Sequence, residues 1–155
     1  MIPENKGYLD SLDALRRSIG QTIAGLDAQE MNWNPLPGEA NSLYAIVAHV
    51  CASEQSMIHQ RAGSRDVERD VGDPLSARGD DPQVLLGWLE EAGRKTVEVL
   101  EGLTEADLDK VPDSGDRRPR SAREWIHLHL RHMSLHLGHM EITKQLYESG
   151  VVTPR

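Results

Sequence analysis

The chain has 155 residues, of which 38% are hydrophobic, and 17 basic against 25 acidic side chains give a formal net charge of −8. This length predicts a single domain over residues 1–155. The negative charge argues against binding to a nucleic-acid backbone, which requires a basic surface. No apolar run approaches the roughly 20 residues of a membrane-spanning helix. The one cysteine, Cys51, cannot form an intramolecular disulfide, and Met1 is not followed by a signal-peptide pattern, so we expect a cytoplasmic protein.

The composition and the apolar periodicity favour an all-α fold. Phe is absent and aromatic residues make up only 4% of the chain, whereas β-sheets are enriched in aromatic and β-branched side chains. Apolar residues recur at steps of three and four from Asn5 to Gly25 or Leu26, which predicts a first amphipathic helix. Two prolines and a glycine in segment 32–38 predict that the helix does not continue there.

A second and a third helix follow, with an unusually long connection between them. The Asn-Ser pair at 41–42 is a good N-cap for the second helix, which is predicted to end around Gly63. The polar segment 64–80 is longer than most helix–helix connections and is typical of a crossover along the bundle. The Asp-Pro pair at 81–82 predicts the start of the third helix, whose apolar stripe continues to Leu103.

The last third of the chain predicts one long helix. Residues 104–107 form a plausible capped short turn, and residues 112–119 are a loop by composition. The Ser-x-x-Glu pattern at 121–124 is a capping box, so the fourth helix is predicted to begin there. It continues to about Glu148, with Gly150 as its stop. Four long helices and one crossover predict a four-helix bundle.

Histidines are concentrated in the fourth helix. Five of the seven fall within thirteen residues: His127, His129, His132, His136 and His139. At about 100° per residue, all except His127 share an arc of about 80° beside the core leucines Leu128, Leu135 and Leu146, whereas His127 is predicted to be exposed. The four-residue spacing of His132 and His136 lets one helix offer two imidazole nitrogens to one metal ion. The alternative is a buried seam in which the histidines bond to one another and to Thr143.

A complete metal site needs a third ligand from another element. Outside the cluster only His49 and His59 remain. His49 lies at the edge of the apolar stripe of the second helix, whereas His59 lies well off the stripe and is predicted to be exposed. The predicted metal ligands are therefore His49, His132 and His136.

Other polar residues near these ligands are predicted to have supporting roles. Glu54 lies inside the apolar stripe, about 140° from His49 on the helix, so we expect a structural hydrogen-bonding residue or a support for the metal ligands. His129 and His139 lie about one turn to either side of the histidine pair and are predicted to act as hydrogen-bond donors or proton shuttles. Cys51 is predicted to be a small core residue.

The sequence also contains a local run of basic residues and two tryptophans outside the histidine motifs. The local run of basic residues is predicted to be a solvated charged surface, with docking of substrate carboxylates as the alternative; it comprises Arg117, Arg118, Arg120 and Arg123. Trp33 and Trp88 are the large apolar side chains available to form walls of a pocket.

The order and spacing of these motifs resemble the DinB/YfiT-like superfamily over nearly the whole chain. The second-helix region contains Asn-Trp-Asn-Pro at 32–35, Pro-Gly at 37–38, Asn-Ser at 41–42, Ala-His-Val at 48–50 and then Glu54. The last helix contains the pair His132 and His136 followed by Gly-His-Met at 138–140. Two positions depart from the family pattern: Leu128 stands where many relatives have another histidine, and His139 where glutamine is common.

The resemblance implies a four-helix bundle with up-down-down-up connectivity, often homodimeric, that binds a divalent metal through three histidines. Carried over residue by residue, the ligands match His49, His132 and His136. Members that this sequence is similar to include a mycothiol-dependent maleylpyruvate isomerase and bacillithiol S-transferases. Nitrogen ligands suit zinc or nickel, and the resemblance implies a small-molecule substrate and a low-molecular-weight thiol.

Two classes of function remain open at this stage. Three imidazoles leave tetrahedral zinc one position short, which is typical of a catalytic site and predicts a metal-dependent transferase, isomerase or hydrolase. The alternative is a non-catalytic metal-binding or metal-stabilised helical protein. A ferritin-like di-iron centre is disfavoured because it needs two Glu-x-x-His motifs, and only Glu124-x-x-His127 occurs.

Overall fold

The computed structural model describes residues 1–66, 73–111 and 118–150. The α-helices in these ranges are α1 (Pro3–Ile23), α2 (Ala28–Asn32), α3 (Leu43–Glu54), α4 (Pro82–Gly102), α5 (Glu105–Asp109) and α6 (Ala122–Ser149). A π-helix, Gln55–Ala62, continues α3 directly, and a 3₁₀ turn spans Pro74–Ser76. The described residues contain no strand, so the all-α prediction is confirmed.

Helices α3, α4 and α6 begin at the residues that the sequence marks, and α6 also ends where predicted. The Ser42 hydroxyl caps α3, and the Asp81 carboxylate caps α4. At the start of α6, the side chains of Ser121 and Glu124 each accept a backbone N–H of the other residue, which is the predicted capping box. Gly150 ends α6 in the left-handed region at φ 63°, a conformation that favours glycine.

The shorter elements between α1 and α3 were not all predicted. Helix α1 ends at Ile23, slightly before the predicted boundary, and Gly25 adopts a positive φ of 76°. The five-residue α2 follows, capped by a reciprocal pair of hydrogen bonds between Asp27 and Glu30. Its one buried residue, Met31, fills the core beneath the loop. The predicted short turn after α4 is confirmed as α5.

Helices α1 and α6 run in the same direction. Near their starts, the Tyr8 hydroxyl lies 3.1 Å from His127 Nε2, and near their ends the Lys144 ammonium donates to the Thr22 carbonyl at 3.1 Å. The exposed position of His127 agrees with its prediction. These two contacts fix α1 and α6 as parallel neighbours.

Helix α3, with its π-helical continuation, runs parallel to α4. Tyr44 packs edge-on against Trp88 near the start of both helices, and further along His59 Nε2 lies 3.0 Å from Thr96 Oγ1. This parallel arrangement requires the chain to cross the length of the bundle between α3 and α4, as the long segment 64–80 predicts.

Helices α3 and α6 are antiparallel. His49, near the start of α3, contacts His132 in the middle of α6, whereas Arg61, at the end of the π-helix, stacks on Trp125 near the start of α6. Together with the parallel pairs, this gives the up-down-down-up connectivity of the predicted bundle. The arrangement brings the histidine face of α6 against α3.

The π-helix explains why one sequence prediction is wrong. His59 was expected at the surface, but only 3% of it is exposed. A π-helix hydrogen-bonds from residue i to i+5 and turns less per residue than an α-helix, so an α-helical wheel misplaces the residues after Glu54. Gly63 caps the end of the π-helix, and a Cβ atom there would lie 2.8 Å from the Val99 side chain. This close approach to α4 requires glycine.

The core is aliphatic, as the composition predicts, but α6 presents a different face to it than expected. The largest fully buried side chains include Leu12, Ile19, Leu100, Ile126 and Met133. Leu135, one of the leucines predicted to face the core, is instead 57% exposed. The buried residues of α6 are Ala122, Trp125, Ile126, His129, Met133, Met140 and Thr143. In the described part of the chain, no helix combines the length and apolarity needed to span a membrane.

Candidate metal centre

The three predicted ligands meet at one point between α3 and α6. His49 Nε2 lies 3.0 Å from His132 Nε2, and His132 Nε2 lies 3.1 Å from His136 Nε2. One ligand nitrogen from each residue lies within 4.8 Å of the others, an arrangement that can hold a metal ion. All three side chains are partly buried. We call this group the histidine triad.

Hydrogen bonds among the three imidazoles do not account for this geometry. His132 Nε2 has close contacts with both His49 Nε2 and His136 Nε2, yet a neutral ring nitrogen carries either one proton or one lone pair. It therefore satisfies only one of the two contacts. Two nitrogen ligands bound at 2.0–2.1 Å to tetrahedral zinc lie about 3.3 Å apart, close to the observed separations. The donor set and its spacing fit a divalent ion.

The surroundings of the triad keep its imidazoles neutral. Burial lowers the pKa of His49, although the nearby Asp73 carboxylate acts in the opposite direction. Burial and the neighbouring imidazoles lower the pKa values of His132 and His136 to about 4. A neutral imidazole is the form that binds metal. At neutral pH the triad is therefore ready to act as a ligand set.

These pKa values predict a pH dependence for the metal-free protein. Between about pH 4 and the unfolded value of 6.5, the unfolded chain binds more protons at His132 and His136 than the folded chain does. Stability is therefore expected to fall as the pH is lowered through this range. The loss per group is smaller than the limit of about 1.4 kcal/mol per pH unit, because both rings are partly exposed.

Urea unfolding at pH 7 and pH 5 in the presence of a chelator tests this expectation. The wild-type chain should lose more stability between the two pH values than a His132→Asn/His136→Asn variant, in which the two titrating groups are absent. Equal losses would contradict the assignment of lowered pKa values to these two histidines.

His139 lies on the solvent-exposed side of the triad, and His129 lies on its buried side. His139 is exposed, and its ring centroid lies 5.6 Å from that of His136 in an edge-on arrangement. His129 is fully buried, and its ring centroid lies 6.2 Å from that of His132. Both residues are thus next to the triad, as predicted; their roles stay predictions.

Glu54 is a buried hydrogen-bonding residue and lies outside the triad. Its carboxylate accepts hydrogen bonds from the Arg16 guanidinium, with an Nη2–Oε1 distance of 2.5 Å, and from Thr96 Oγ1 at 2.5 Å. Burial by itself raises the pKa of this carboxyl, but neighbouring His129 and the Arg16 guanidinium hold that pKa below its usual range. Glu54 is therefore ionised and acts as an acceptor.

Three members of this buried network are not predicted from the sequence: Arg16, Thr96 and His59. For Arg16 a signal was present, because it follows Leu12 by four residues and precedes Ile19 by three on the apolar face of α1. A charged residue in such a stripe needs a buried partner of opposite charge. The partner, Glu54, occupies the equivalent position in the stripe of α3.

The remaining predicted residues have simpler environments. Cys51 packs against the core, and burial raises its thiol pKa to about 12, so it is an unreactive side chain at neutral pH. Trp33 packs edge-on against Tyr147, with ring centroids 5.5 Å apart. Trp88 is 43% exposed beside Tyr44. The described ring contacts place neither tryptophan against the triad.

Arginines of the basic run make specific contacts, whereas a solvated charged surface was predicted. Arg117 lies outside the described residues. The Arg120 guanidinium stacks on the Trp125 ring at 4.8 Å, and Arg123 donates to the Asp109 carboxylate at 3.0 Å. These arginines therefore support the start of α6, which positions the histidines further along the helix.

A cavity of about 480 Å³ lies beside the N-terminal end of α3. Loop residues 34–42 and segment 73–78 contribute its lining, which includes Asp73 and Arg78. Against the larger effect of burial, Asp73 raises the pKa of His49, and none of the three histidines of the triad is among the lining residues of the cavity. Its volume is in the range of small-molecule sites.

The fold and the site together define an up-down-down-up four-helix bundle with three histidines that can bind a metal ion. A family comparison agrees: the model of the DinB superfamily matches residues 11–140. The chain belongs to the DinB superfamily. The sequence has no significant match among curated proteins.

Solved structures show the same fold at low sequence identity. A conserved protein from Enterococcus faecalis is 16% identical, with a TM-score of 0.75 over 94% of this chain and 98% of that chain. A DinB-like protein from Bacillus cereus is 18% identical, with a TM-score of 0.73 over 97% and 96%. YfiT from Bacillus subtilis, described as a probable metal-dependent hydrolase with an unusual four-helix bundle topology, is 15% identical, with a TM-score of 0.71 over 96% and 90%.

Proposed function

We propose that this protein is a divalent-metal-dependent enzyme that acts on a small molecule, with His49, His132 and His136 as the metal ligands. The convergence of three neutral imidazoles carries the proposal. The group that can hold an ion contains three residues in the described part of the chain. Catalytic zinc sites have three protein ligands and an open fourth position, whereas structural sites have four.

Zinc and nickel are the ions that we propose for this site. Both suit imidazole ligands, and the triad contains no thiolate or carboxylate ligand. When bound, such an ion supplies Lewis acidity, which activates a water molecule or a thiol as a nucleophile. The reaction is then a hydrolysis, or a transfer or isomerisation that uses a low-molecular-weight thiol.

Other residues near the triad are proposed to transfer protons and to bind the substrate. His139 lies on the exposed side next to His136 and is proposed to exchange protons with the substrate, because an imidazole there can donate or accept a hydrogen bond. The cavity lined by Asp73 and Arg78 is proposed to hold the polar part of the substrate. Its mixed charges suit a ligand that carries both polar and ionised groups.

The test begins with chelator-treated protein reloaded with zinc, nickel or cobalt. Each form is assayed for conjugation of L-cysteine to an activated aryl halide and for hydrolysis of a p-nitrophenyl ester. We expect one of these rates to rise with metal. In His139→Ala that rate should fall at least about tenfold with metal content unchanged; a full acid–base contribution is about 10²–10⁴-fold.

His127→Ala is the matched control, because His127 is an exposed histidine on the same helix and is directed towards Tyr8 instead of the triad. It should leave both the metal content and the rate unchanged. Stoichiometric metal binding without any rate increase in either assay would favour the non-catalytic metal-binding alternative.

A further inference from the structure

A cluster of buried polar side chains occupies the centre of the bundle next to the triad. The four long helices and the π-helix all contribute to it, and each member is at most 8% exposed. The members are Arg16 from α1, Glu54 from α3, His59 from the π-helix, Thr96 from α4 and His129 from α6. We call this group the core polar cluster.

Most hydrogen-bonding groups of the cluster are fully committed. Glu54 Oε1 accepts from Arg16 Nη2 and from the Thr96 hydroxyl. Because Thr96 donates its only proton to Glu54, it accepts from His59, whose Nε2 therefore carries the proton. Among the described residues, Arg16 Nε, at 3.3 Å, is the hydrogen-bond donor to Glu54 Oε2. One acceptor position on Oε2 is therefore left open.

His129 faces this open acceptor without reaching it. Its Nε2 lies 3.8 Å from Glu54 Oε2, too far for a hydrogen bond. Neither ring nitrogen of His129 has a hydrogen-bond partner among the described residues, although both are buried. At least one of them carries a proton, and an unpaired buried donor is destabilising. A leucine would fill the same space without this penalty, so packing alone does not account for His129.

The other neighbour of His129 is the central ligand of the triad. The rings of His129 and His132 lie on successive turns of α6, at an interplanar angle of 27°. His132 in turn is the residue whose Nε2 contacts both other ligands. His129 thus lies between an ionised carboxylate and the imidazole on which the triad depends.

We infer that His129 is a positioning residue that connects the triad to the Glu54 carboxylate. The negative carboxylate, fixed by Arg16 and Thr96, attracts the N–H of His129, and the His129 ring limits the orientations of the His132 ring. The direction of His132 Nε2 towards the other ligands then depends on the core polar cluster. This inference rests on the proposed metal site, and it extends the support of that site to α1 and α4.

The affinity for Co²⁺, measured by competition with a chelator and followed by the visible absorption of the bound ion, tests the inference without an activity assay. His129→Leu should weaken Co²⁺ binding about 10- to 100-fold, the effect of losing support for a metal ligand, and should change the absorption spectrum. His129→Gln, whose amide donates towards Glu54, should restore part of the affinity. Ile126→Val is the control, since it trims a buried side chain of α6 outside the cluster.

A double-variant comparison isolates the connection to the carboxylate. Glu54→Gln should weaken Co²⁺ binding by itself but add little in the His129→Leu background, because the two residues act through one path. Unchanged Co²⁺ affinity and an unchanged spectrum in His129→Leu would overturn the inference. This single variant can be measured even if Glu54→Gln does not fold. Absence of Co²⁺ binding in the wild-type chain would instead overturn the proposed metal site, and the inference with it.

Discussion

Replacement of His132 by alanine is expected to abolish stoichiometric metal binding. His132 Nε2 is the nitrogen that lies within 3.1 Å of both other ligand nitrogens, so its loss leaves two imidazoles that no longer share a central partner. The affinity should fall by at least about 100-fold, because loss of a mere hydrogen-bond support already costs 10–100-fold. Inductively coupled plasma mass spectrometry of the reloaded protein measures this directly.

The same variant should lose most of the stabilisation that metal gives to the folded chain. Free ion at about 100 times its Kd stabilises a protein by about 2.7 kcal/mol, which raises the Tm of the wild-type chain. In His132→Ala the same metal concentration should raise the Tm far less, because a Kd about 100-fold higher leaves a stabilisation of only about 0.4 kcal/mol. His127→Ala, with its exposed ring on the same helix, should keep the metal-dependent rise. Normal metal content in His132→Ala would refute the triad.

The bundle could be predicted from the sequence because its signals are local. The cap at Ser42, the capping box of Ser121 and Glu124, and the terminal Gly150 each determine a helix end through neighbouring backbone groups. The four-residue spacing of His132 and His136 is equally local. The choice of His49 needed only the position of one residue at the edge of an apolar stripe.

Other parts of the site depend on tertiary packing and were beyond such reasoning. The burial of His59 depends on the π-helix. No local sequence pattern predicts the wider helical turn that starts at Gln55. The pairing of Arg16 with Glu54 joins residues that are 38 positions apart. Each lies in an apolar stripe, but which buried charges meet is decided by how the helices pack in the bundle, and no local sequence pattern predicts that packing.

Loss of the Glu54 carboxylate is expected to destabilise the bundle strongly. In Glu54→Leu the Arg16 guanidinium remains buried and loses both hydrogen bonds that it donates to Glu54, while Thr96 loses its acceptor. Breaking a buried ion pair from one side costs about 3–5 kcal/mol. The lower end of this range applies, because Asp13 still pairs with the Arg16 guanidinium. Urea unfolding of the metal-free protein measures the change.

The double variant Arg16→Met/Glu54→Leu separates the loss of an interaction from the burial of an unpaired charge. With both charges replaced by apolar side chains of similar length, most of the stability should return, since such replacements are often neutral or stabilising. A double variant as unstable as Glu54→Leu would mean that the ion pair itself contributes the stability. Recovery would mean that the fold tolerates an apolar centre. If the Co²⁺ affinity of the double variant falls at the same time, Glu54 supports metal binding and is not required for folding.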